Sequence, residues 1–257
     1  MPLSRSTILA VLIALAALGR APAADNFSIQ SFTSNGVKIA YFTQGKGEPV
    51  VLIHGWLSSA GVNWALPGIS GLLAKDFQVI ALDVRGHGIS DKPTKEEAYG
   101  PELGEDVVRL LDHLKIKKAH MVGYSMGGII AGNFMVKHPD RVLTGTLTGM
   151  GWLQNGSIAQ FGFAQIGKND ANAQAVTVCG RSLAKLALTE AELKSIRVPV
   201  AVIVGDKDPV KALYVEPLQK VRKDWPVTEI KDGDHLTTIV QPAFRDAIAA
   251  WLKKNTK

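Results

Sequence analysis

Residues 119–131 read Ala-His-Met-Val-Gly-Tyr-Ser-Met-Gly-Gly-Ile-Ile-Ala, and the hydrophobic pattern changes at Ser125. Before the serine the chain is a short apolar run, the pattern of a buried strand. After it, small and apolar residues continue to about Val136 at helical spacing. Ser125 therefore sits on a strand-to-helix turn, between Gly123 and Gly127. A turn that tight strains the backbone at its centre, and a side chain at either flank would collide with neighbouring backbone. The strained turn exposes the hydroxyl and aims the first N–H groups of the helix at the same point. A pattern fixed by three residues is short, so its surroundings must carry the reading.

Outward from this turn, short apolar strands alternate with helices. Phe27 to Thr33 and Val37 to Thr43 read as strands joined at Asn35-Gly36. Val50 to Ile53, Gln78 to Leu82, Val142 to Leu147, Val198 to Val204 and Val227 to Ile230 read as further strands. Helices are expected at Trp64 to Ala74, Pro101 to Leu114, Lys211 to Val221 and Ile239 to Lys253. Wholly apolar strands in alternation with helices predict a mainly parallel sheet covered on both faces. Such sheets bind ligands at the carboxyl ends of their strands. Residues 150–197 break the rhythm and read as an insertion with two or three helical stretches. Thr189 to Glu192 is a capping-box pattern that opens the last of them.

The chain has 257 residues, enough for one large domain, and a net charge of +6. The basic runs lie beside expected helix ends and have no aromatic residues between them, which argues against nucleic acid as a partner. Arg5, the apolar stretch Ile8 to Leu18 and Ala21-Pro22-Ala23 have the layout of a secretory signal peptide cut after Ala23. Residues 1–23 are thus expected to be removed, leaving a single domain over 24–257 in the periplasm or secreted. An uncleaved anchor is the alternative, although the stretch is short for a membrane span. No later segment has the length and apolarity of a span, and nothing in the sequence fixes an oligomeric state. Cys179 is the single cysteine, so the fold does not depend on an internal disulfide, and it reads as a small buried hydrophobe.

A serine hydroxyl needs a base to take its proton, and the base needs a partner to fix its tautomer. Asp208 follows the strand 198–204 in Gly205-Asp206-Lys207-Asp208-Pro209, with Asp206 as its rival. Of six histidines, only His235 comes after both, in a loop before the closing helix. An oxyanion would need backbone N–H donors: Met126, after the serine, and one from His54-Gly55-Trp56. Trp56 is the expected second donor, with Leu57 as the lesser candidate and His54 as a residue that pins the loop. No metal-ligand spacing is present, and no cofactor or metal is called for.

These residues stand in five ordered motifs: Val-Leu-Ile-His-Gly-Trp, Ala-Leu-Asp-Val-Arg-Gly-His-Gly-Ile-Ser-Asp-Lys-Pro, Val-Gly-Tyr-Ser-Met-Gly-Gly, Val-Gly-Asp-Lys-Asp-Pro-Val and Gly-Asp-His-Leu-Thr-Thr. In them the chain resembles the α/β-hydrolase superfamily over nearly its whole length after residue 23. The resemblance implies an α/β-hydrolase fold: an eight-stranded, mostly parallel sheet with a short helical lid inserted after the sixth strand. It implies Ser125 as nucleophile, Asp208 as acid and His235 as base, with the glycine-rich loop from Asp83 to Pro93 structural. Ser125 argues against the dehalogenase and epoxide hydrolase branches, which use aspartate. The small, moderately apolar insertion is unlike the lids of lipases that act on oil. The expected activity is that of an exported serine esterase on a small to medium carboxylic ester. Lactonase, carbon–carbon hydrolase, amidase and perhydrolase chemistry on the same triad, or a non-catalytic ligand receptor, are the alternatives.

Overall fold

The computed structural model describes residues 27–156 and 171–256. The expected signal segment, 1–23, and part of the insertion, 157–170, lie outside the described residues. Eight strands form one sheet: β1 (Ile29–Ser34), β2 (Val37–Gln44), β3 (Glu48–Ile53), β4 (Phe77–Leu82), β5 (Ala119–Tyr124), β6 (Val142–Thr148), β7 (Val200–Gly205) and β8 (Val227–Ile230). Their order across the sheet is β1-β2-β4-β3-β5-β6-β7-β8. β2 pairs antiparallel with both neighbours, and every pair from β4 to β8 is parallel. The parallel strands therefore deliver their carboxyl ends to one edge.

Strand alternation explains why Val50 to Ile53 carries no polar residue. Val51 and Ile53 point into one buried cluster, with the helices α2 (Glu102–His113) and α3 (Met126–Lys137). Val50 and Leu52 point into the other, with Trp64, α1 (Ile69–Leu73) and α7 (Pro242–Lys254). A strand buried on both faces favours apolar side chains throughout.

Helix boundaries differ from the expectation where proline or glycine intervenes. The helix expected over 64–74 is divided. A wide turn at Gly61–Ala65 closes with Leu66 N–H donating to Gly61 O at 2.9 Å, and α1 begins only after Gly68 at φ 72°. Pro67 between them has no N–H to continue the ladder. Likewise 211–221 is a wide turn at Lys211–Val215 followed by α6 (Glu216–Val221). The closing helix starts at Pro242 rather than Ile239, because a residue preceding proline is driven out of helical backbone; Gln241 has φ −77° and ψ 136°. After β6 come α4 (Ala171–Ser182) and α5 (Glu190–Ser195). The α5 capping box forms as expected: Thr189 Oγ1 accepts from Glu192 N–H at 3.2 Å, and Glu192 Oε2 accepts from Thr189 N–H at 3.0 Å.

A buried ion pair ties the β4 loop to α2. Arg85 donates to both carboxylate oxygens of Asp106, at 2.7 and 2.6 Å, with both residues 1% exposed. Asp83 joins the loops after β3 and β4 by accepting from Ala60 N–H and Ile89 N–H, each at 2.8 Å.

Candidate active site

β5 is buried at every position and ends at Ser125, whose φ of 52° and ψ of −112° lie outside the ordinary regions. Such a conformation costs on the order of 1–3 kcal/mol and persists only where its surroundings impose it. They do so here by close packing. A Cβ on Gly123 would lie 2.1 Å from Gly127 O, and one on Gly127 would lie 1.9 Å from Ile53 O. Ser125 N–H donates to Thr148 O at 2.8 Å, and Ser125 O accepts from Gly128 N–H at 2.9 Å as α3 begins.

Three side chains from three strand ends meet at this turn. His235 Nε2 lies 2.9 Å from Ser125 Oγ, and His235 Nδ1 lies 2.8 Å from Asp208 Oδ2. A carboxylate only accepts, so Nδ1 carries the hydrogen and Nε2 is left to accept from the serine. The Asp208 side chain is fully buried, and its other oxygen accepts from Val210 N–H at 2.9 Å. Asp206 is exposed, and its N–H donates to Ile230 O at 3.0 Å within the turn. The geometry thus separates the two aspartates that the sequence left in competition.

The His235 loop has two supports that sequence reasoning missed. Tyr124 stacks on the His235 ring at 5.6 Å between centroids, and its hydroxyl donates to His235 O. Burial, reinforced by the charges of Asp208 and Asp234, pushes the Tyr124 phenol up, so it remains a donor. Asp234 Oδ1 accepts from Leu236 N–H at 2.9 Å, and from Thr237 N–H and Oγ1–H at 2.8 Å each. The Asp-His-Leu-Thr spacing carries a signal for the second support, since Asp commonly bonds the backbone just ahead of it. Tyr124 fills a variable position of its motif and carries none.

The loop after β3 reaches the same point. A Cβ on Gly55 would lie 3.5 Å from Ser125 Cβ. His54 is wholly buried; its Nε2 accepts from Val84 N–H at 3.0 Å, so Nδ1 holds the hydrogen and donates to Gly55 O at 2.7 Å. Because a trans peptide sets its C=O and N–H in opposite directions, holding Gly55 O also aims Trp56 N–H. Burial pulls His54 down to about 4 and His87, which lies 5.4 Å away between ring centroids, down to about 3. Asn63 Oδ1 accepts from Gly55 N–H at 2.8 Å. Leu57 takes φ 60° and stands 54% exposed. Met126, the other expected donor, is the first residue of α3.

Cys179 is fully buried on α4, and burial pushes its thiol up, away from the reactive thiolate. Among the described residues, no group of three or more His, Cys, Asp or Glu side chains is arranged to hold a metal ion, and no helix is long and apolar enough to cross a membrane.

A family model for the alpha/beta hydrolase fold matches residues 48–191. The chain is 27% identical over 266 residues to 3-oxoadipate enol-lactonase 2 of Acinetobacter baylyi, covering 87% of this chain and 96% of that one. It is 39% identical over 133 residues to the dihydrolipoyllysine-residue acetyltransferase component of the acetoin cleaving system of Pseudomonas putida, covering 51% of this chain and 35% of that one. Only about a third of that second relative is thus spanned. In three dimensions the chain matches a thermophilic esterase from Thermogutta terrifontis with a TM-score of 0.74 and 22% identity, over 90% of this chain and 100% of the other. At that identity the likeness is one of fold.

Proposed function

The chain belongs to the α/β-hydrolase fold family, and from that membership we propose a serine hydrolase that cleaves a small to medium carboxylic ester through an acyl-enzyme on Ser125. The observation that carries the reading is the bonded series Asp208–His235–Ser125, at 2.8 and 2.9 Å. In this reading His235 Nε2 takes the Ser125 proton as Oγ attacks the acyl carbonyl. Asp208 holds the Nδ1–H tautomer and stabilises the imidazolium that forms. The N–H groups of Met126 and Trp56 receive the oxyanion, each worth on the order of 3 kcal/mol of barrier. His235 returns its proton to the departing alcohol, then activates a water that releases the acid. Leu57 and Leu236, 54% and 81% exposed, directly follow Trp56 and His235 and support an uncharged acyl group at this mouth.

A lactone, which is an internal ester, is the second reading, favoured because the relative covered almost end to end is an enol-lactonase. A panel of p-nitrophenyl esters and simple lactones, run on the wild type and Ser125→Ala, tests both. Ester turnover that vanishes in Ser125→Ala, with a fluorophosphonate adduct on Ser125 in the wild type, is the expected result. Full turnover in Ser125→Ala sinks the assignment. Preferred turnover of lactones moves it to the second reading. Export also belongs to this proposal: the mature chain is expected to begin at Ala24, and an N-terminal sequence that still carries Arg5 would overturn it.

A further inference from the structure

The two residues expected to donate to the oxyanion share a second neighbour. The Trp56 indole Nε1–H donates to Val176 O, in α4, at 2.8 Å. Met126 Sδ lies 3.9 Å from Cys179 Sγ, one helical turn further along α4. Positions three apart lie on one face of a helix, so a single face of α4 touches both side chains. The far end of α4 is fastened in turn: Ser182 Oγ donates to Cys179 O at 2.7 Å and accepts from Gly100 N–H at 3.0 Å.

We infer that α4 is a working part of the oxyanion hole, with the Trp56 indole as the positioning group that holds the Trp56 backbone N–H in place. The inference rests on the serine hydrolase reading above. Trp56 is gripped from both sides. On one side His54 Nδ1–H holds Gly55 O at 2.7 Å and so sets the plane of the Gly55–Trp56 peptide. On the other, the indole fixes the side chain to α4 and removes the freedom of the residue to swing about that peptide. Leu57, immediately after, takes φ 60°, a conformation unfavourable for leucine that needs such a restraint. An oxyanion donor has to be held within about half an ångström of its productive place. The indole bond to α4 supplies that precision and makes donor geometry depend on the placement of α4.

A bond that places a donor for the oxyanion acts in the transition state rather than on substrate binding. Trp56→Phe keeps the aromatic packing and removes the one N–H. It is expected to lower kcat about tenfold, leave KM within about twofold, and weaken an alkylboronic acid transition-state analogue by the same tenfold. A purely structural indole would lower the melting temperature and leave the ratio of analogue affinity to KM unchanged. Wild-type kcat and analogue affinity in folded Trp56→Phe, with Ser125→Ala inactive, overturn the coupling alone. Hydrolysis retained in Ser125→Ala overturns the reading beneath it as well. Should Trp56→Phe not fold, Ser182→Ala loosens the far end of α4 without touching Trp56. A fall of about threefold in kcat at constant KM is expected there, and wild-type kcat overturns the coupling.

Discussion

The turn that carries Ser125 and the loop that carries His235 are held by opposite means. At the turn, shape does the holding. The Gly123 and Gly127 Cα atoms lie so close to the Gly127 and Ile53 carbonyls that no other residue fits. At the loop, polar staples do it: three donors onto Asp234 Oδ1, and the Tyr124 hydroxyl onto His235 O. Steric restraint of this kind is all-or-none, because a clash with backbone cannot be shared out. Staples come apart one at a time. The largest expected effect therefore lies at the turn. In Gly127→Ala the new methyl must displace Ile53 O, which leads directly into His54-Gly55-Trp56, so Ser125 and that loop shift together. Overpacking against backbone costs on the order of 1–3 kcal/mol in stability, and misplacement of both groups is expected to cost about a thousandfold in kcat. Thermal melting and ester turnover measure the two. A variant that keeps activity within tenfold would show the turn to be more yielding than its contacts imply.

Tyr124→Phe sharpens the comparison, because Tyr124 belongs to the turn by sequence and to the loop by bonding. The stacked ring stays and the bond to His235 O goes. A net contribution of about 1 kcal/mol predicts a five- to tenfold fall in kcat, with the serine still labelled by fluorophosphonate. Unchanged kcat would assign the placement of His235 to Asp208 and the stacking alone.

The same contrast explains what could be read from the sequence. Steric restraint leaves a mark in composition: only glycine fits at 123 and 127, so Gly123 and Gly127 announce the turn. The apolar runs at 50–53 and 200–204 announce the parallel sheet because two-sided burial favours apolar side chains. Asp208 and His235 were legible through order along the chain and their place after strands, though Asp206 could be set aside only once burial separated the pair. Helix limits expected at 64–74 and 239–253 were misplaced because Pro67 and Pro242 act through backbone geometry that periodicity ignores. The supports from Tyr124, Asn63 and α4 were not legible at all. Tyr124 and α4 join residues far apart in the chain, Asn63 reaches back to Gly55, and all act through groups that many residue types possess.

The smallest effect is expected at the Asp234 staple, where three donors share one acceptor. Asp234→Ala removes all three bonds from an exposed loop, while Thr238 N–H still donates to the Asp234 backbone carbonyl at 3.1 Å and the Tyr124 bond remains. Exposed bonds of this kind contribute about 0.5–1 kcal/mol together, so kcat should fall only about two- to fivefold. Asp234→Asn keeps an acceptor oxygen and should recover most of that loss. The Thr237 N–H and hydroxyl, then the Leu236 N–H, hold the Asp234 carboxyl below its ordinary value. A group depressed in this way stays ionised above its unfolded value, and its contribution is lost only as pH falls through the lowered one. The staple is therefore intact across the neutral range, and the ratio of Asp234→Ala to wild-type kcat should be flat from pH 6 to 8. A loss greater than tenfold, or a ratio that changes across that range, would show that this loop relies on one staple as completely as the turn relies on its glycines.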